Sequence, residues 1–104
     1  MKHKDFLYAQ LADDDYAVGY LEAALEEDDP RVFFLALNDV IEARGINKSK
    51  LAKSSGLSRN GLYTALDKEA NPQFESIRNI IRAAGYKLSI TKPSDTHDQE
   101  RSLV

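Results

Sequence analysis

The sequence predicts an all-α domain of five helices built around a helix-turn-helix, closed by one short C-terminal β-strand. Three observations lead there. Apolar residues recur at helical spacing in three segments, about 15–27, 30–44 and 73–84. Capping residues or stop glycines bracket these segments. Between the last two lies LAKSSGLSRNGLYTAL (51–66), two short helical stretches separated by Gly56.

Residues 1–13 are a lead-in. Its Phe6, Leu7, Tyr8 and Leu11 suit either a short turn of helix on the core or a clamp for a partner. Asp14 or Asp15 caps the first helix, about 15–27. Ala17, Tyr20, Leu21, Ala24 and Leu25 share one face of it, and the other face is acidic. Asp29 and Pro30 restart the chain as N-cap and first helical residue. The second helix runs to about Arg44 and stops at Gly45. Phe33, Leu37, Val40 and Ile41 form its stripe, and Phe34 and Leu35 widen it, which makes this helix central. Asn47 caps a third helix, about 48–55, with Leu51 and the small Ala52 facing inward. Gly56 permits the positive φ of the turn. Ser58 caps the fourth helix, about 58–67. Asn71-Pro72 leads into the fifth, about 73–84. Its stripe is Phe74, Ile77, Ile80, Ile81 and Ala84, and Gly85 stops it.

YKLSITK (86–92) alternates apolar and polar residues, as a strand does. A single strand is not stable alone, and no other segment here looks like a partner. The same strand from a second subunit, across a two-fold axis, meets the need. An extended tail lying on the helices is the alternative. PSDTHDQERSLV is polar and reads as disordered. The plan is a lead-in at 1–13, a helical domain at 14–92 with the helix-turn-helix at 48–67, and a tail at 93–104.

A chain of 104 residues, 42% apolar, fits one domain with a modest core, and a dimer buries more. The absence of cysteine excludes disulfides and thiolate metal sites. His3 and His97 lie near opposite ends, so a metal site or a histidine-based triad lacks material. No catalytic residue is assigned, because surface carboxylates without a pocket or a base are ordinary. No stretch approaches the ~20 apolar residues of a membrane span. MKHKDF has no apolar run behind its lysines, so a cytoplasmic protein is expected.

Net charge is −3, but it is unevenly spread. Residues 1–43 carry three cations against eleven acids, residues 44–92 carry ten against three, and residues 93–104 carry one against three. The basic part coincides with the helix-turn-helix and suits phosphates. The acidic part suits a basic protein, or is simply a soluble surface.

Successive helical residues turn by ~100°. In the fourth helix Ser58, Gly61, Leu62, Ala65 and Leu66 fall on one side, and Arg59, Asn60, Tyr63, Thr64 and Asp67 on the other. The second set suits a DNA groove. Arg59 matches guanine O6 and N7, and Asn60 matches adenine N6 and N7. Thr64 reaches a thymine methyl or a phosphate, and Tyr63 lies against the sugar-phosphate wall. Asn47, Lys48, Ser49, Lys50, Lys53, Ser58 and Lys68 are the candidate phosphate contacts. An ordinary solvated surface is the competing account of each.

YLEAALEEDDP (20–30), LALNDVIEARGINKSKLAKSSGLSRNGLYTALDKEANP (35–72) and IIRAAGYKLSI (80–90) carry a family resemblance. The chain resembles the helix-turn-helix antidote proteins (antitoxins) of addiction modules, close to those paired with RelE/HigB-type messenger-RNA-cleaving toxins. The resemblance implies a lambda-repressor-like helix-turn-helix, repression of the chain's own operon, binding of the toxin, a homodimer and no cofactor. The family's usual run has Glu and Lys where Asn60 and Thr64 stand, which removes one expected phosphate contact. Gly61 weakens the helix by ~1 kcal/mol relative to alanine. The acidic helix 15–29, with Glu22, Glu26 and Glu27, and the lead-in are the expected toxin surface. A stand-alone prophage-type repressor and a protein-binding adaptor that has lost DNA binding are the alternatives.

Overall fold

Asp13, Asp29, Asn47 and Ser58 each sit in extended backbone and begin a helix. Their side-chain oxygens accept amide hydrogens at 2.9 to 3.0 Å from Tyr16, Arg31, Lys50 and Gly61. These amides have no partner within the helix, so the caps fix where it starts. The computed structural model describes residues 2–67 and 71–93, with side chains from residue 5 onward. The helices are α1 (Lys2–Leu11), α2 (Asp14–Leu25), α3 (Pro30–Ala43), α4 (Lys48–Ser54), α5 (Arg59–Ala65) and α6 (Phe74–Ala83).

Six helices stand where five were expected. The additional one is α1, in the lead-in. Leu7, Tyr8 and Leu11 fall on one face of it, and Leu11 is fully buried. The Arg44 guanidinium donates to the carbonyls of Leu11 and Ala12 at 3.0 and 3.1 Å and pairs with Asp14. One side chain from the end of α3 thus holds the end of α1 and the start of α2. The cap of α2 is Asp13, not the expected Asp14 or Asp15, both of which lie inside the helix.

The core centres on α3, whose Phe33, Ala36, Leu37, Val40 and Ile41 are buried. Helices α1 and α2 pack on it, α4 packs against α5, and α6 packs against α4. Phe34 is half-buried, while Leu25, Leu35 and Phe74 are exposed rather than core. Leu25 is the last residue of α2 and Phe74 the first of α6.

Residues 86–92 form no strand within the described chain. Tyr86 and Leu88 pack on the core, and Ile90 is wholly exposed. A strand needs a ladder partner, and this chain supplies none among its described residues. The tail expected at 93–104 lies outside the described residues from position 94 onward.

Two predictions arise here. Ser58→Ala removes the cap of α5 and is expected to cost about 1 kcal/mol, read as a lower urea midpoint. The Tyr20 hydroxyl donates to Asp39 at 2.9 Å, tying α2 to α3. Burial, then the Asp39 carboxylate, push its phenol up to about 12 from 10.0. The folded state therefore favours the protonated phenol. That contribution is whole below pH 10 and is lost as pH rises through about 12. The melting temperature is expected to drop across this window, and Tyr20→Phe to shrink the drop.

Candidate nucleic-acid interface

Helices α4 and α5 are short, and the turn between them is locked by its own backbone. The Leu57 amide donates to the Ala52 carbonyl at 2.8 Å, and Gly56 takes a φ of 77°. The buried Ser55 hydroxyl donates to the Leu51 carbonyl at 2.7 Å. Leu51, Ala52, Leu62, Ala65 and Leu66 are buried, which fixes how α5 is rotated. A Cβ on Gly61 would lie 3.2 Å from the Ser58 hydroxyl oxygen, the atom that caps its amide. The glycine leaves the cap room, which offsets its low helix propensity.

This rotation leaves Arg59, Asn60, Tyr63, Thr64 and Asp67 exposed. They are not independent of one another. Arg59 donates to the Tyr63 hydroxyl at 3.3 Å, and its guanidinium carbon lies 5.8 Å from the ring centre. The Lys48 ammonium lies 5.1 Å from the same ring. The ring therefore carries two cations. The bond from Arg59 lowers the Tyr63 phenol below its ordinary range. Thr64 donates its hydroxyl hydrogen to the Asn60 carbonyl at 3.0 Å, which leaves its methyl and oxygen lone pairs for a ligand.

Lys48 also meets Glu42, with Nζ 2.9 Å from Oε2. The other Glu42 oxygen accepts the Tyr8 hydroxyl at 2.9 Å. A chain of contacts thus runs from Tyr8 of α1 through Glu42 of α3 to Lys48, Tyr63 and Arg59. Lys48 and Arg44, two of the ten cations in the basic half, are engaged within the protein. The positive charge presented by this half is smaller than its sequence implies.

The remaining candidates divide. Asn47, Lys48, Ser49 and Arg59 meet at one open polar cleft of about 420 Å³, with Glu42 on its wall. Tyr63, Thr64 and Asp67 line a second hollow with Leu35 and Asn38. Asn47 and Ser58 already serve as caps, and their remaining hydrogens are free to donate. Lys50 and Lys53 are exposed and line neither hollow. Lys68 lies outside the described residues. Sequence reasoning missed Tyr8 and Glu42, because their contact joins positions 34 residues apart. A hint existed in Glu42 itself, an acid six residues before Lys48.

Among the described residues, no group of three or more His, Asp or Glu side chains is placed to hold a metal ion. None of the described helices is long and apolar enough to cross a membrane. A family model described as probable addiction module antidote protein matches residues 2–92. A relative from Haemophilus influenzae, described as an uncharacterized protein, is 34% identical over 88 residues, covering 84% of this chain and 89% of that one. No solved structure gives a significant match. The family match spans all six helices and the extended segment after them, and on that extent the chain belongs to the family of probable addiction module antidote proteins.

Proposed function

We propose that this chain is a DNA-binding antitoxin that represses its own operon and also binds and neutralises a RelE/HigB-type ribonuclease toxin. One observation carries the DNA reading. Arg59, Asn60, Tyr63 and Thr64 stand together on the uncovered side of α5, which packs on α4. In this reading α4 and α5 are the helix-turn-helix, and α5 lies in the major groove. Arg59 and Asn60 read base edges. Asn47, Lys48, Ser49, Lys50, Lys53 and Ser58 hold phosphates, the first three at the polar cleft beside Glu42. The protein works as a binding protein and not as an enzyme.

The operator-bound form is a homodimer. Residues 86–92 pair with the same segment of a second copy and give the extended backbone its missing ladder. Two recognition helices then sit about one duplex turn apart, ~34 Å, on a palindromic site.

The test is co-expression with the product of the adjacent gene, followed by a footprint on the upstream DNA. Co-purification in a fixed ratio and a two-fold symmetric footprint are expected. A chain that retards no upstream fragment at low salt overturns the DNA reading, and a neighbour that does not co-purify overturns the toxin reading.

Glu42 makes a separate prediction. Its carboxylate stands on the wall of the cleft proposed for a phosphate and neutralises Lys48. Glu42→Gln is expected to tighten binding to all sequences alike and to steepen the salt dependence by about one unit of slope. Unchanged slopes in gel shifts between 50 and 200 mM salt count against Lys48 as a phosphate contact.

A further inference from the structure

Two apolar hollows, of about 440 and 290 Å³, share Leu25, Phe33, Ile81 and Leu88. They form one trough between the end of α2, the start of α3 and the face of α6. Large apolar side chains stand uncovered along it. Leu25 is 52% exposed and Phe74 is 69% exposed. None of its described lining residues belongs to the candidate nucleic-acid interface.

The rim is acidic. Glu22, Glu27 and Asp28 line it, are exposed, and form no ion pair with a described residue. Among the described residues its cations are Arg31, which pairs with Asp29, and Lys87. This charge discriminates among possible occupants. A nucleic acid is repelled. A second copy that seats this trough on its own counterpart about a two-fold axis brings acidic rim to acidic rim, which costs affinity. The chain's own last residues carry Asp95, Asp98 and Glu100 against Arg101, and they too are repelled. A segment with an apolar face and flanking Lys or Arg satisfies both floor and rim.

We infer that the trough is the docking site for a basic amphipathic segment of a partner protein. Its apolar residues fill the hollows beside Leu25 and Phe74, and its cations face Glu22, Glu27 and Asp28. The inference rests on the proposed function only in taking that partner to be the toxin. It leaves α5 uncovered, so that partner and DNA are held at once.

The probe is a synthetic Lys/Leu amphipathic helical peptide, titrated into the isotope-labelled full chain and followed by amide NMR. A peptide with the same apolar face and Glu for Lys is the control. Shifts are expected at Leu25, Phe33, Phe74 and Ile81 with the basic peptide alone. Leu25→Ser with Phe74→Ala is expected to weaken binding about tenfold, a size typical of losing central apolar anchors. Both residues are exposed, and retained far-UV circular dichroism checks that the variant folds. Glu22→Gln, Glu27→Gln and Asp28→Asn together are expected to flatten the salt dependence.

Shifts elsewhere, or variants that bind like the parent, overturn the docking site. So does self-association that shifts Leu25, Phe33, Phe74 and Ile81 without peptide, since the pairing proposed for residues 86–92 moves the amides of that segment alone. A neighbouring gene product that ignores the chain while the peptide seats in the trough sinks the toxin reading alone. A gene product that binds the double variant undiminished sinks the trough alone.

Discussion

Leu11→Ala is expected to lower the unfolding free energy by about 2–5 kcal/mol, a large share of the ~5–15 kcal/mol typical of a domain. Leu11 has no exposed surface and ends a helix in a region that composition alone marks as a lead-in. Truncation removes its buried methyl groups and leaves a cavity against α3. Relaxation to fill that cavity is restrained, because Arg44 fixes the Leu11 carbonyl at 3.0 Å. Urea titration followed by circular dichroism measures the effect. Phe6→Ala, at a residue 67% exposed on the same helix, is the control and is expected to cost no more than ~0.5 kcal/mol. Equal midpoints for the two variants would show that α1 unfolds apart from the rest.

On the proposed DNA-binding function, Arg59→Ala is expected to cost ~1–3 kcal/mol of operator affinity and to relax the choice of base at one position per half-site. Arg59 is exposed, so the fold is not at stake. Its guanidinium is placed before any ligand arrives, by the Tyr63 hydroxyl and ring. Placement of this kind reduces the ordering cost of binding. Selection from a randomised operator, with parent and variant side by side, reads both affinity and base preference. A variant that keeps the parent's preference at every position removes Arg59 from base readout. A uniform loss across all sequences makes Arg59 a phosphate contact.

Much of the fold was legible because its signals are local. Asp29-Pro30, Asn47 and Ser58 marked helix starts that the structure retains. A cap acts on amides two or three residues away, so a short stretch of sequence contains the whole interaction. The outward set on α5 was legible for the same reason. Rotation by ~100° per residue places Leu62, Ala65 and Leu66 together, and their burial leaves Arg59, Asn60, Tyr63 and Thr64 outside.

What was not legible depends on distant partners. Leu11, with Phe6, Leu7 and Tyr8, suits a turn on the core or a clamp for a partner equally until α3 is laid beside it. Phe74 fits a core stripe by spacing, yet it projects at the rim of the trough because α6 begins there. Lys48 and Arg44 add to the basic half in any tally, yet Glu42, Asp14 and two carbonyls engage them. YKLSITK alternates as a strand, and alternation reports only which residues are apolar. Whether a ladder forms depends on another backbone.

The sequence by itself determined where α3, α4 and α5 start, the helical class and which side of α5 is polar. Those properties arise from backbone dihedrals, caps and periodicity within a few residues. Tertiary structure alone decided that α1 belongs to the core, that Tyr8 and Glu42 restrain Lys48, and that an apolar trough opens between α2, α3 and α6. Each of these needs surfaces from separate helices to meet, and burial, ion pairing and concavity are properties of that meeting and not of any one segment.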